Sequence, residues 1–281
     1  MKTKRRWFLS LPGFAILASM LVVPLLLQVL TSLGLAKNLS EFPRADSWRR
    51  IFESTLYLRL LYKSMWTGLV ATAIAIVIAW PAGWAISRVP KGTQKVLLGA
   101  VILPYLVSTI LLIYGFFVLL AGNGPLMSLI SLTNLIDADS SILYTHTATV
   151  LMLAYEALPV LILVIYASSE SIDQALIDSA RSLGASRLKR FFHIILPLTM
   201  PGLVAGSALV FVPAVGSFVE SQILGGPNGI LLGNVISDQI RRINDPAFGA
   251  ALSLMLLSGV LTAAYVFGRL LKPLYRRSNL A

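Results

Sequence analysis

Cysteine is absent from all 281 residues, which excludes disulfides and thiolate metal sites. Only two histidines occur, His146 and His193. They are far apart in the chain and predicted on opposite sides of a membrane, so a histidine-based metal centre is excluded as well. Charge is scarce. Asp, Glu, Lys and Arg make up 12% of the residues, apolar types 57%, and the mean hydropathy is +0.81. Soluble domains rarely combine so little charge with so much apolar surface, so the bilayer is the natural solvent. No G-x-x-x-x-G-K-[ST] segment exists, nor any Gly-Lys pair, so the chain does not hold ATP by a P-loop. H-E-x-x-H and G-x-S-x-G are also missing, which leaves a membrane enzyme without visible machinery. Asn38-Leu39-Ser40 fits a glycosylation sequon, a pattern with meaning only in a eukaryotic secretory pathway.

What is present is long apolar runs separated by cations. The net charge of +11 is spread between those runs rather than gathered on one face. It therefore points to topology and anionic headgroups of membrane lipid, not to nucleic acid. About 20 apolar residues cross a hydrocarbon core as a helix. Six segments qualify, at 8–33, 64–86, 96–121, 144–167, 199–223 and 248–270. The first follows Lys2, Lys4, Arg5 and Arg6, as a signal peptide would. It is too long for that and lacks a small-residue cleavage site, so it reads as an uncleaved span.

An even number of spans puts both termini on one side. Cations at the N-terminus, at the C-terminus (Arg269, Lys272, Arg276, Arg277), in the second loop (Arg88, Lys91, Lys95) and in the fourth (Arg181, Arg187, Lys189, Arg190) make that side cytoplasmic. The third loop has no Lys or Arg and holds Asp137 and Asp139. The first loop breaks the pattern with Lys37, Arg44, Arg49, Arg50, Arg59 and Lys63, partly offset by Glu41, Asp46 and Glu53. Within it, residues 48–62 carry Trp48, Ile51, Phe52, Leu56 and Leu60 at helical spacing, predicting an amphipathic helix on the bundle rim or along the outer surface.

The fourth loop, 168–198, is the most informative. Residues 172–183 read as an amphipathic helix bearing Asp173, Asp178 and Arg181. Gly184 interrupts it where the backbone needs a positive φ or a close approach. Ser186 is an N-cap for a second helix through Leu188, Phe191, Phe192 and Ile195. Pro197 and Pro201 then delay the entry of the fifth span. A helix–Gly–helix knob of this kind transmits rigid-body movement to the spans beside it.

Asp178, Ser179, Ala180, Gly184, Ile194, Leu196 and Pro197 resemble the E-A-A-x3-G-x9-I-x-L-P motif of permeases in binding-protein-dependent ABC importers. Asp for Glu and Ser for Ala depart from that motif while preserving charge and small size. In that family the hairpin inserts into a cleft on the ATP-hydrolysing subunit. The resemblance continues through 211–218, 224–227, 232–236 and 244–251 and the early Tyr57-Leu58-Arg59, which look like spermidine/putrescine permeases. It implies an all-α polytopic membrane protein, a single permease domain with the type I importer fold, in a bacterial inner membrane. It also implies a second permease, two ATP-binding cassette subunits carrying ATP and Mg, and a periplasmic or lipid-anchored solute-binding protein. No cofactor is expected on this chain. Permeases for ferric iron, phosphonate and opines share much of the later region, and an ion-driven secondary carrier is the rival from another class.

A polyamine is a flexible polycation, so its route should offer carboxylates, carbonyls and aromatic faces. Glu156, beside Tyr155 and before Pro159, and Glu220 are the acids within or near spans. Each either lines a pathway or pairs with a group on a neighbouring span. Pro213 and Gly216 are expected to loosen the fifth span midway and free carbonyls toward a cavity. The turn-rich Gly225, Gly226, Pro227 and Gly229 precede a predicted re-entrant or surface helix over 230–240, where Asp238 and Asp245 would meet solute or the binding protein. Arg241 and Arg242 would repel a polycation unless paired, and read as docking groups. Tyr105, Tyr114 and Trp80 serve either as aromatic walls or as plain packing.

Overall fold

The computed structural model describes residues 2–35, 46–131 and 141–278. Asn38, Glu41, Arg44, Asp137 and Asp139 lie outside the described residues. The described chain is helical: α1 (Lys2–Ser32), α2 (Asp46–Glu53), α3 (Thr55–Arg88), α4 (Lys91–Ile102), a 3₁₀ turn (Leu103–Leu106), α5 (Thr109–Leu120), α6 (Pro125–Ser131) and α7 (His146–Glu170). There follow α8 (Gln174–Ser182), α9 (Arg187–Arg190), a π turn (Phe191–Ile195), α10 (Leu196–Gly216), α11 (Val219–Leu224), α12 (Gly226–Gly229), α13 (Leu232–Arg241) and α14 (Pro246–Ser278). Among the described residues five helical stretches are long and apolar enough to cross a membrane: Thr55–Arg88, Thr109–Ser128, His146–Glu170, Arg187–Gly216 and Pro246–Arg269. Within the first predicted span, α1 contains the apolar stretch Ile16–Ser32.

The chain forms two compact units. The first comprises the described parts of Met1–Leu61 with Val235–Ser258. Here α2 buries Ile51, and Arg50 donates to Asp245 at 2.9 Å while lying 4.0 Å over the Phe248 ring. Tyr57 meets the same ring edge-on at 5.2 Å. The stretch thus packs through Arg50 and Tyr57 on Phe248 of α14. The expected single helix is instead split, because the Ser54 hydroxyl accepts from the Leu56 amide and so forms a local turn.

The second unit comprises the described parts of Tyr62–Asn234 with Gly259–Ala281. Its core is a three-helix seam in which Ala71, Ala75 and Ala79 of α3 and Val210 and Ala214 of α10 pack on Leu153, Ala157, Leu161 and Ile165 of α7. Small residues allow close helix approach, which is how apolar helices associate where lipid is as apolar as the protein. At Gly202 a Cβ would stand 1.7 Å from the Ser168 hydroxyl, so α10 can lie against α7 only with glycine there.

Two spans differ from the sequence expectation. The third is not one helix over 96–121 but α4 and α5 separated by the 3₁₀ turn, with Val107 extended at ψ 139°. Pro104 lacks the amide that the Ala100 carbonyl would use, and its ring starts a tighter turn. The fifth span is not merely loosened at Gly216: α10 ends there, Ser217 is extended at ψ 138°, and α11 starts afresh. Nor do Pro197 and Pro201 delay its entry. Helix continues from Arg187 to Gly216 because the π turn at Phe191–Ile195, with the Leu196 amide bonding the Phe191 carbonyl, absorbs the missing Pro197 donor.

Candidate functional site

The loop 168–198 is built by local hydrogen bonds. The Asp173 carboxylate accepts from the Ala175 amide at 2.9 Å and caps α8. At the other end the Ala185 amide bonds the Ala180 carbonyl and the Gly184 amide bonds that of Arg181, both at 3.0 Å. This pair of bonds is a Schellman motif, and it requires Gly184 at φ +77°. A Cβ on Gly184 would meet nothing within 4 Å, so backbone conformation and not space selects glycine. The Ser186 hydroxyl accepts from the Lys189 amide at 3.3 Å and caps α9 as expected. Of the motif residues, Asp178, Ser179 and Ala180 lie in α8, Ile194 closes the π turn with Ile195, and Leu196 and Pro197 open α10.

Beneath the loop Ile172, Ile177 and Ile195 form a buried cluster against Trp80, Trp84 and Leu198. Trp80 stacks on Trp84 at 6.1 Å and meets Phe191 edge-on at 4.5 Å. Trp80 is thus a foundation of the loop and not a pathway wall. The opposite side remains open: Leu183 is 88% and Leu188 71% exposed, with Phe192 at 56%. Apolar side chains so exposed beside a rigid turn mark an interaction face.

A cavity of about 300 Å³ forms where the interrupted helices converge. Tyr155 and Glu156 of α7, Pro213 of α10, Glu220 of α11 and Tyr105 of the 3₁₀ turn all line it. Four pathway candidates singled out from sequence, and Tyr105 from among the aromatic-wall candidates, therefore share one cavity. Gly216 does not line it; it ends α10 and so redirects the chain that carries Glu220. Asp238 lies in the first unit, paired with Arg242 at 3.4 Å, which answers the expected repulsion by that arginine. Tyr114 is exposed and does not line the cavity.

The two carboxylates differ in their partners. Glu220 accepts a short hydrogen bond from the Ser217 hydroxyl. Glu156 Oε1 is buried with no hydrogen-bond partner among the described residues. A buried acceptor without a donor is costly unless water or a ligand supplies one. Thr109, at the start of α5, also lines the cavity, bringing the partial positive pole of that helix to the same wall.

Asn234 holds the break in place, a role that sequence reasoning missed. Its Oδ1 accepts from the Ser221 hydroxyl at 2.6 Å and the Leu231 amide at 2.9 Å, and its Nδ2 donates to the Phe218 carbonyl at 2.8 Å. The Leu232 amide donates to the Ser64 hydroxyl at 2.9 Å, tying the same segment to α3. The 3₁₀ turn was missed too, although Pro104 inside an apolar run was the available signal.

Comparison with known proteins agrees with this geometry. The family model described as "Binding-protein-dependent transport system inner membrane component" matches residues 81–277, from the end of α3 through α14. The chain is 36% identical over 235 residues to the spermidine/putrescine transport system permease protein PotB of Escherichia coli (strain K12), covering 84% of this chain and 82% of that one. It is 34% identical over 244 residues to the protein of the same name from Haemophilus influenzae, covering 86% and 85%. Among solved structures, a chain of the bacterial alginate ABC transporter in complex with an alginate pentasaccharide-bound periplasmic protein matches with a TM-score of 0.75. That match covers 98% of this chain and 97% of the other at 17% identity, a likeness of fold alone. The chain therefore belongs to the family of inner-membrane components of binding-protein-dependent transport systems.

Proposed function

We propose that this chain is the permease subunit of an ATP-driven importer that moves a polyamine of the spermidine or putrescine kind across the inner membrane. The observation that carries this reading is the cavity holding Glu156 and Glu220 together with Tyr155 and Tyr105. Paired carboxylates and aromatic faces suit a flexible polycation, and the unpartnered Glu156 Oε1 is an acceptor awaiting an ammonium donor. Two carboxylates would repel a phosphonate, so the anion-importing relatives are the poorer analogy. The names of the PotB relatives point to the same cargo.

The permease itself performs no chemistry. Its loop 168–198 docks on a separate ATPase through Leu183, Leu188 and Phe192, with Asp178, Ser179, Ala180, Gly184, Ile194, Leu196 and Pro197 fixing its shape. ATP and Mg reside on two such partner subunits, a second permease completes the membrane part, and a solute-binding protein delivers cargo from outside. Nucleotide-driven closure of the ATPase pair moves the loop, and the pathway lined by Tyr155, Glu156, Pro213 and Glu220 alternates between outward and inward access. Gly216 shapes that pathway by ending α10, and Asp238 lies on the face that receives cargo. The whole chain acts as one permease domain of six spans with both termini cytoplasmic. Its five long apolar helices and the apolar Ile16–Ser32 stretch support that count.

Reconstitution with the partner subunits in proteoliposomes tests the reading. Uptake of labelled spermidine or putrescine should require ATP and the binding protein, and should stop when the ATPase subunit is inactivated. Uptake unaffected by that inactivation would refute an ATP-driven importer and favour an ion-driven carrier.

A further inference from the structure

Polar ties join the coupling loop to the corner between α3 and α4, and none belongs to the loop's sequence motif. Arg88, the last residue of α3, donates to the Gln174 side chain of α8 at 2.6 Å and to the Ser169 carbonyl at 3.4 Å. Gln174 donates in turn to Asp178 at 3.4 Å, and the Arg88 guanidinium lies over the Trp84 ring at 4.0 Å. Three residues on, Lys91 opens α4 and pairs with Glu170, the last residue of α7. Gln94, only 4% exposed, donates to the Ser87 carbonyl at 3.3 Å and to Glu170 at 3.5 Å, and accepts from the Tyr166 hydroxyl at 3.2 Å. The hydrogen bond with Glu170 holds the Lys91 ammonium above its ordinary pKa, so it is charged throughout the physiological range.

These ties matter because of where α4 leads. Its 12 residues rise about 18 Å to the 3₁₀ turn, where Pro104, Tyr105 and Val107 line the cavity. Of the other walls, those on α7 and α10 flank the coupling loop directly along the chain. The wall that follows α4 has no such covalent link. We infer that Arg88, Lys91 and Gln94 are positioning residues that carry displacement of the coupling loop into α4, and through it into the cavity wall at Tyr105. This rests on the reading of the loop as the ATPase-docking element.

Lys91 is well exposed, its side chain 74% accessible, so its ion pair with Glu170 adds little to stability. That separates a positioning role from a structural one. In the reconstituted importer, K91E is expected to lower solute moved per ATP hydrolysed by about fivefold with the melting temperature nearly unchanged, and E170K, which also takes an acceptor from Gln94, by at least as much. The K91E/E170K double variant should restore most of that ratio. Single variants at the wild-type ratio, or a double variant no better than the worse single, would overturn the inference. Wild-type complex lacking ATP-dependent uptake would overturn the docking reading together with it.

Discussion

The loop 168–198 and the cavity obtain their shapes in opposite ways. The loop is specified by bonds between residues close in sequence: an Asp173 cap, a Schellman pair around Gly184 and a Ser186 cap. The cavity arises where separate helices stop short, at Pro104 and at Gly216, and it is bounded by side chains more than 100 residues apart in the chain. A locally determined element can act as a rigid handle because little else has to be ordered to form it. A cavity made from interrupted helices can change, because its walls hold few of the backbone bonds that stiffen a continuous span.

If that contrast holds, damage to the handle should uncouple the transporter and damage to the cavity should slow cargo. The largest effect is expected from G184L. A leucine in the left-handed region costs about 1–2 kcal/mol locally and distorts the docking face. ATPase activity should persist while uptake falls by more than about tenfold, since the strain sits in the element proposed to transmit the stroke. Equal loss of both activities would argue that Gly184 serves assembly instead. Next comes E156Q, which keeps shape and removes the charge of the unpartnered acceptor. Polyamine uptake should drop about tenfold with ATPase activity retained, as expected for losing one charge-assisted bond of 1.5–3 kcal/mol. Unchanged uptake would remove Glu156 from the pathway.

N234A tests whether the break is held by the asparagine. Losing three hydrogen bonds in a buried site should destabilise the protein by about 2–4 kcal/mol, read as a lower melting temperature in detergent. A smaller effect is expected from S186A, about 1 kcal/mol, the usual worth of an N-cap. Its signature would be faster amide exchange confined to α9. Exchange spreading to the cavity would contradict the autonomy of the loop.

Readable from the sequence alone were the membrane-embedded class, most of the apolar helices, the caps and turn of the loop 168–198, and the family to which its motif points. These depend on composition, on apolar run length, and on contacts between residues a few positions apart. It also identified Tyr155, Glu156, Pro213 and Glu220 as pathway candidates one at a time. Only the tertiary structure placed those four around a single cavity. It alone decided that the third span breaks at Pro104, that α10 ends at Gly216, that Asn234 fastens that break, and that Trp80 supports the loop. The shared cavity and the seat of Trp80 depend on packing between helices distant in sequence, whereas the breaks at Pro104 and Gly216 have local causes that apolar run length hides. Hydropathy cannot tell an apolar residue facing lipid from one facing a neighbouring helix, nor a proline that bends a span from one that ends it.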